Sequence, residues 1–211
     1  MDIVNERILF ISAHTDDAEH SCGGIMAKYC DSNDLYHTVF SFAEHSLPDG
    51  FDKHSTRREL SKSMEILGIP DNNVITHGYH VRRFPEYRQE ILDNIIQIRN
   101  DIKPTMVFTH SLNDMHQDHK TIAEESFRAF KDNTCLFSYN NIRNAEVNKF
   151  NFFIEIELEH LKKKIEALMA YKSQVVKGRY NREFISAQVI THGRKINVEY
   201  SEAFENVRLI I

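Results

Sequence analysis

The chain has 211 residues, a formal net charge of −5 at pH 7, 41% apolar and 27% charged residues, and few glycines or prolines. That is the composition of a folded globular chain, not a disordered or fibrous one, and its acidic balance argues against a broad nucleic-acid surface. Apolar runs such as 8–11 are far too short to span a bilayer. The length favours one domain over 1–211, with a core that needs no staples. Cys22, Cys30 and Cys135 form no CxxC pair, and Asp2 and Glu6 do not suit a secretory leader, so a reduced, cytoplasmic protein is expected.

Residues 7–13 are a short apolar run, the pattern of a buried strand. Helical character follows over 16–30, interrupted by Gly23-Gly24, and 36–42 reads as a second strand. Leu60, Met64 and Leu67 give a helix over 55–67 that Gly68 and Pro70 close. A brief third strand spans 74–76. Ile91, Ile95, Ile98 and Ile102 line one face of a helix over 85–102, ended by Pro104. A fourth strand at 105–109, a helix over 118–130 and extended segments at 135–137 and 152–156 come next. A long helix is expected over 158–175, then short strands near 189–190 and 207–211. Strand and helix alternate at least four times, which predicts an α/β domain with a mainly parallel sheet covered by helices.

In open parallel sheets, ligands bind outside the carboxyl ends of the strands. His14, Asp16 and Asp17 follow the first predicted strand; Glu44 and His45 follow the second. His77 and His80 follow the third, and His110, Asp114, His116, Asp118 and His119 the fourth. Parallel strands would bring all of them to one rim. A lone histidine at a strand end is ordinarily a hydrogen-bonded surface or core residue. Two separate His/Asp clusters on one rim point instead to a divalent metal. Imidazole and carboxylate without thiolate suit zinc, and iron, nickel or copper less specifically. His14 and Asp17 lie three residues apart where a strand turns into a helix, and the 116–119 loop would add a third ligand.

Ala13-His14-Thr15-Asp16-Asp17-Ala18-Glu19, with Gly23-Gly24 shortly after, resembles the AHPDDxE…GG signature of the LmbE-like (PIG-L) zinc de-N-acetylases. His116-Gln117-Asp118-His119 resembles their second signature, HPDH. Tyr171-Lys172-Ser173-Gln174 resembles their helix ending in an SQ pair, and Gly193 with Tyr200-Ser201-Glu202-Ala203-Phe204 their G…YAEAF segment. The resemblance implies a Rossmann-like, three-layer fold holding one Zn2+ per chain, with Fe2+ as an alternative, on His14, Asp17 and His119. It implies Asp16 as the general base that activates a metal-bound water, and His116 as the group that polarises the carbonyl. Asp118 would orient His116 and raise the pKa of its imidazolium. The implied reaction removes an N-acetyl group from a GlcNAc-type amino sugar or its conjugate. The partner is a small molecule, with no nucleic acid and no membrane span; a homo-oligomer is left open. Thr15 and Gln117 stand where the family has proline, changes read as loop stiffness more than chemistry. Asp114 stands where some members carry a tyrosine that donates to the oxyanion.

Glu44, Arg57 and Arg82 are the candidates for substrate contact. Relatives carry a Glu after the second strand, and Arg57 lies beside the position of a substrate-binding Arg, which here is Thr56. An Arg past the third strand could grip a carboxylate or phosphate. Each could equally be a solvated surface residue. His77 and His80 read as hydrogen-bonded loop residues, His110 as a residue behind the ligands, and His20 and Cys22 as packing. An HD-type phosphohydrolase using Asp118-His119 is disfavoured, because such domains are all-helical. A nucleotide-sugar binding module or a catalytically inactive metal-binding module is the remaining alternative. No GxGxxG follows the first strand, and Asp16 in addition to three ligands speaks for catalysis.

Overall fold

The computed structural model describes residues 3–132, 134–141, 144 and 149–210. Five parallel strands lie in the order β3-β2-β1-β4-β5. They are β1 (Arg7–His14), β2 (Asp34–Ser41), β3 (Val74–Thr76), β4 (Met106–His110) and β5 (Cys135–Tyr139). Strand β7 (Tyr200–Arg208) pairs antiparallel with β5, and β6 (Phe152–Ile156) pairs antiparallel with β7. The mainly parallel sheet expected from the sequence is therefore present.

β1 is buried along its whole length after Arg7. Ile8 and Phe10 enter the core on one face, Leu9, Ile11 and Ala13 the core on the other. A strand covered on both faces reads as a continuous apolar run rather than an alternating one. Helices α1 (Asp17–Tyr29), α2 (Ser55–Leu67), α5 (Leu158–Ala170) and α7 (Arg182–Lys195) supply the first core. Helices α3 (Arg88–Ile102) and α4 (Gln117–Ala129) supply the second. The strand order reverses between β1 and β4, and their last residues are His14 and His110. That reversal is where open α/β sheets leave a crevice for ligands.

The two glycines inside α1 have a packing cause. A Cβ on Gly23 would lie 3.0 Å from Lys164 Cγ, and one on Gly24 2.5 Å from Ile156 Cδ1 and 3.0 Å from Glu202 Cδ. Glu202 of β7 fills that space. It accepts the N–H of Gly24 at 2.9 Å and of Ile25 at 2.8 Å, and Lys164 closes it at 2.5 Å.

The structure departs from the predicted elements in two places. The helix expected over 158–175 breaks at Tyr171 (φ −75°, ψ 70°), and a short α6 (Lys172–Val176) follows. The break drives the Tyr171 ring into the interior, with its hydroxyl against the Thr15 carbonyl and Glu19. The strand expected near 189–190 lies inside α7, which Asn181 caps by accepting the Phe184 N–H at 2.7 Å. The buried positions of α7 are Ile185, Val189 and Gly193, a stripe too thin to show as helical periodicity. The strand expected near 207–211 is β7, which starts at Tyr200; position 211 lies outside the described residues. Among the described residues, no helix is long and apolar enough to cross a membrane.

Candidate active site

The turn from β1 into α1 presents three groups at once. The His14 N–H donates to Asp17 Oδ2 at 2.8 Å, folding the Asp17 carboxylate back beneath the strand end. Asp17 opens α1, where the helix dipole favours a negative charge. Asp16 is the N-cap, but its side chain accepts no capping N–H, which leaves the carboxylate free for the crevice.

From the other side of the strand reversal, α4 delivers His119. His14 Nδ1 lies 3.2 Å from His119 Nε2 and 3.3 Å from Asp17 Oδ2, and His119 Nε2 lies 3.4 Å from that same oxygen. The far nitrogens of both rings face carboxylates: His14 Nε2 meets Asp118 Oδ2 at 3.0 Å, and His119 Nδ1 meets Asp114 Oδ2 at 2.8 Å. Assigning the ring protons to those carboxylates leaves Nδ1 of His14 and Nε2 of His119 as lone pairs. Two lone pairs and a carboxylate oxygen converging on one point are a donor set that suits a cation. Three donors on a tetrahedral ion at about 2.0–2.1 Å stand about 3.3–3.4 Å apart, so the triangle fits such an ion.

The electrostatics agree. Burial alone would lower the pKa of His14, but Asp118 and Asp17 outweigh it and hold it up at about 10. Burial would raise Asp17, yet His119, His110 and His14 hold it well below the usual carboxylate range. The carboxylates around the cluster thus favour positive charge there, carried by the His14 ring itself or by a cation held in its place.

Two further rings stand nearby, His116 beside His14 and His119, and His110 beside Asp17 and His119. His110 is wholly buried, and its Nε2 accepts the Ala13 N–H at 3.0 Å, so it braces the strand end behind the donors, as expected. His116 Nδ1 accepts the Asp118 N–H at 3.2 Å as the N-cap of α4, which puts the neutral ring's proton on Nε2. Burial, with His119 and His14 alongside, pushes its pKa down to about 4. Asp118 thus holds one His116 tautomer, through its N–H, while its carboxylate has further partners. Its carboxylate holds the His14 ring and accepts the N–H groups of Arg82 at 2.6 Å and Phe84 at 3.3 Å. Its upward pull on His116 is outweighed, and it reaches that ring only through its own N–H.

Asp16 accepts the Tyr180 hydroxyl on Oδ2 at 2.7 Å. Burial and the neighbouring Asp17 raise its pKa, against the pull of Tyr180 and Arg179. A cavity of about 520 Å³ opens over Asp16, the triangle and His116. Of the three candidates for substrate contact, Arg82 lines it. Glu44 and Arg57 do not. They pair with each other at 2.9 Å, the Arg57 guanidinium lies 3.8 Å from the Phe42 ring centre, and both line a smaller cleft next door. His77 stacks on Phe40 and His80 on His45, and both are hydrogen-bonded in the loop through their backbone: the His77 N–H donates to the Val39 carbonyl at 2.8 Å and the His80 carbonyl accepts the Arg83 N–H at 3.1 Å. A second cavity, of about 550 Å³, opens elsewhere between Ile3, Phe137, Phe152 and Ile210, with no histidine in its lining.

Sequence reasoning placed Asp114 on the rim without giving it work, and missed Tyr180 and Arg179 altogether. Asp114 had a signal, a carboxylate five residues before a ligating histidine. Tyr180 and Arg179 had none, because they come from a stretch without periodicity.

The family model described as PIG-L, GlcNAc-PI de-N-acetylase, matches residues 9–130, which include both signatures. The chain belongs to the PIG-L family. An uncharacterized deacetylase, YaiS, of Escherichia coli K12 is 27% identical over 172 residues, covering 79% of this chain and 90% of its own. Among solved structures, the N,N'-diacetylchitobiose deacetylase of Pyrococcus horikoshii superposes with a TM-score of 0.77 at 17% identity, covering 95% of this chain and 83% of its own. The 4-carboxy-2-hydroxymuconate hydratase GalB of Pseudomonas putida KT2440 also superposes at 0.77, with 18% identity and 98% coverage of both chains. The fold therefore hosts more than one reaction, and the reaction class rests on the family and the deacetylase relative. This PIG-L chain is a hydrolytic de-N-acetylase.

Proposed function

We propose that the enzyme removes the acetyl group from a GlcNAc-type N-acetyl amino sugar or its conjugate, with one Zn2+ held by His14, Asp17 and His119. The observation that carries this reading is the triangle of donor atoms with the Asp16 carboxylate beside it, one of its oxygens held by Tyr180. Two imidazoles and one carboxylate are a catalytic zinc set, and zinc when bound acidifies water and polarises a carbonyl. The sugar is supported by the family's GlcNAc-PI description and by the diacetylchitobiose deacetylase that shares the fold.

The chain's own residues divide the remaining work. Asp16 takes the proton of the attacking water; its raised pKa suits a base that must later give the proton back. Tyr180 fixes the carboxylate through one oxygen and leaves the other to the crevice. His116, neutral and with its proton on Nε2, donates to the oxygen that gains charge as the carbonyl carbon becomes tetrahedral. The C–N bond then breaks, Asp16 returns its proton to the departing nitrogen, and acetate and a free amine result. Three unpaired cysteines support a reducing compartment, the cytoplasm.

The test is acetate release by zinc-loaded protein from free, nucleotide-linked and aglycone-linked N-acetyl amino sugars, with Asp16→Asn protein as the blank. Release that disappears in the blank upholds the reading. A protein that holds one zinc and releases no acetate from any substrate overturns it in favour of a metal-binding module.

A further inference from the structure

The cavity over Asp16 carries three cations that the hydrolysis does not use. Arg82 and Arg179 line it, and Lys177 reaches the same wall at Ser46. Arg82 Nη2 donates to Ser46 Oγ at 3.2 Å, while Lys177 Nζ donates to the Ser46 carbonyl. Two segments far apart in sequence thus bring their charged ends to one residue at the cavity mouth. Among the described residues, none of the three pairs with a carboxylate, whereas Arg57, Arg58, Arg83, Arg88 and Arg128 all do.

The backbone at Arg82 is held in place for a purpose. Its φ is 68°, a left-handed conformation that a bulky L-residue rarely adopts. Such residues persist only where their surroundings hold them, and they cluster at functional sites. Here the holders belong to the second signature. Asp118 accepts the Arg82 N–H at 2.6 Å, and Gln117 donates its side-chain N–H to the Arg82 carbonyl. A proline at 117 has no donor to offer, so Gln117 changes chemistry and not only loop stiffness.

We propose that Arg82, Lys177 and Arg179 form an anion subsite, and that the N-acetyl amino sugar this enzyme hydrolyses carries a phosphate or carboxylate. The inference rests on the deacetylase reading above. Asp16 and Asp17 lie on the cavity floor, and a cationic mouth draws a negatively charged substrate past them. Burial and the adjacent Arg179 lower the pKa of Lys177, and the opposing pull of Asp16 and Glu59 does not restore it. Guanidinium groups and an ammonium together match the oxygens of phosphate or carboxylate.

The experiment has two readouts. One is kcat/KM for acetate release from GlcNAc, GlcNAc 1-phosphate, GlcNAc 6-phosphate and N-acetylmuramic acid, which separates phosphate from carboxylate and one attachment point from another. The other is calorimetric binding of glucosamine and glucosamine 6-phosphate. At least one anionic substrate is expected to exceed GlcNAc by about tenfold or more, and Lys177→Ala and Arg179→Ala to erase most of that ratio. Arg83→Ala, which removes a cation paired with Glu86 outside the cavity, should leave the ratio unchanged. Acetate release with no anionic preference, and no loss of preference in the variants, overturns the subsite while the deacetylase reading stands. With no acetate released from any substrate, glucosamine 6-phosphate binding that Arg179→Ala abolishes upholds the subsite and counts against the reaction. Absent binding overturns the subsite.

Discussion

Glu202 grips the backbone of Gly24 in the middle of α1, at 2.9 Å, where a helix interior would ordinarily bond only to itself. The carboxylate is almost wholly buried and has Lys164 as its cation. The helix it grips begins with Asp17 and is capped by Asp16, so the last strand of the sheet anchors the element that presents the site. Lys164→Met strands a buried carboxylate and should lower unfolding free energy by about 3–5 kcal/mol, read from urea unfolding. Gly24→Ala should lose about 1–3 kcal/mol by overpacking against Ile156 and Glu202. A Lys164→Met protein as stable as wild type would show that the pair anchors nothing.

Asp16→Asn removes the base without touching the donor triangle. Its kcat should fall by about 10²–10⁴-fold while one metal per chain remains, measured by acetate release and elemental analysis of the same sample. Tyr180→Phe frees Asp16 Oδ2 and should lower kcat by a smaller factor with metal content unchanged. Equal turnover in Asp16→Asn would move the base elsewhere.

Asp114 fixes the tautomer and direction of His119 from behind. Asp114→Ala should weaken zinc affinity by about 10–100-fold, read by competition with a chromogenic chelator. Metal at a hundredfold excess over its dissociation constant should add about 2.7 kcal/mol to wild-type stability. A melting curve indifferent to zinc and chelator alike would rule out the metal centre.

His37 makes stability depend on pH. It is fully buried, its Nε2 lies 2.8 Å from Ser12 Oγ, and burial pushes its pKa from 6.5 down to about 3. Below pH 6.5 the unfolded chain takes up a proton that the folded chain refuses. The contribution is therefore complete above that pH and shrinks as pH falls toward 3. The loss from this group reaches on the order of 4–5 kcal/mol over the window. Urea midpoints at successive pH values should fall more steeply in wild type than in His37→Gln; parallel slopes would refute the assignment.

The parts legible in the sequence are those that local order decides. His14 and Asp17 sit on one strand-to-helix turn, and His119 follows another strand of the same parallel sheet, so topology alone brings them together. What stayed hidden depends on where side chains point after folding. The Asp118 carboxylate looked like the partner of its neighbour His116, but α4 turns it back toward β1. Glu44 and Arg57 each looked available to a substrate, and the fold sets them against each other. The helix α7 buries one residue in four, so its pattern vanished into the polar background.

Asp118 Oδ2 serves the His14 ring and the Arg82 N–H with the same atom. The histidine at the metal triangle and the arginine at the cavity mouth therefore share one anchor, although 68 residues of chain separate them. If His14 holds a metal and Arg82 the substrate, as proposed, selectivity and metal affinity would not be independently heritable. A lineage that altered residue 118 to accept a new substrate would disturb its metal in the same step. Change compatible with both has to come through the outer residues 46, 177 and 179.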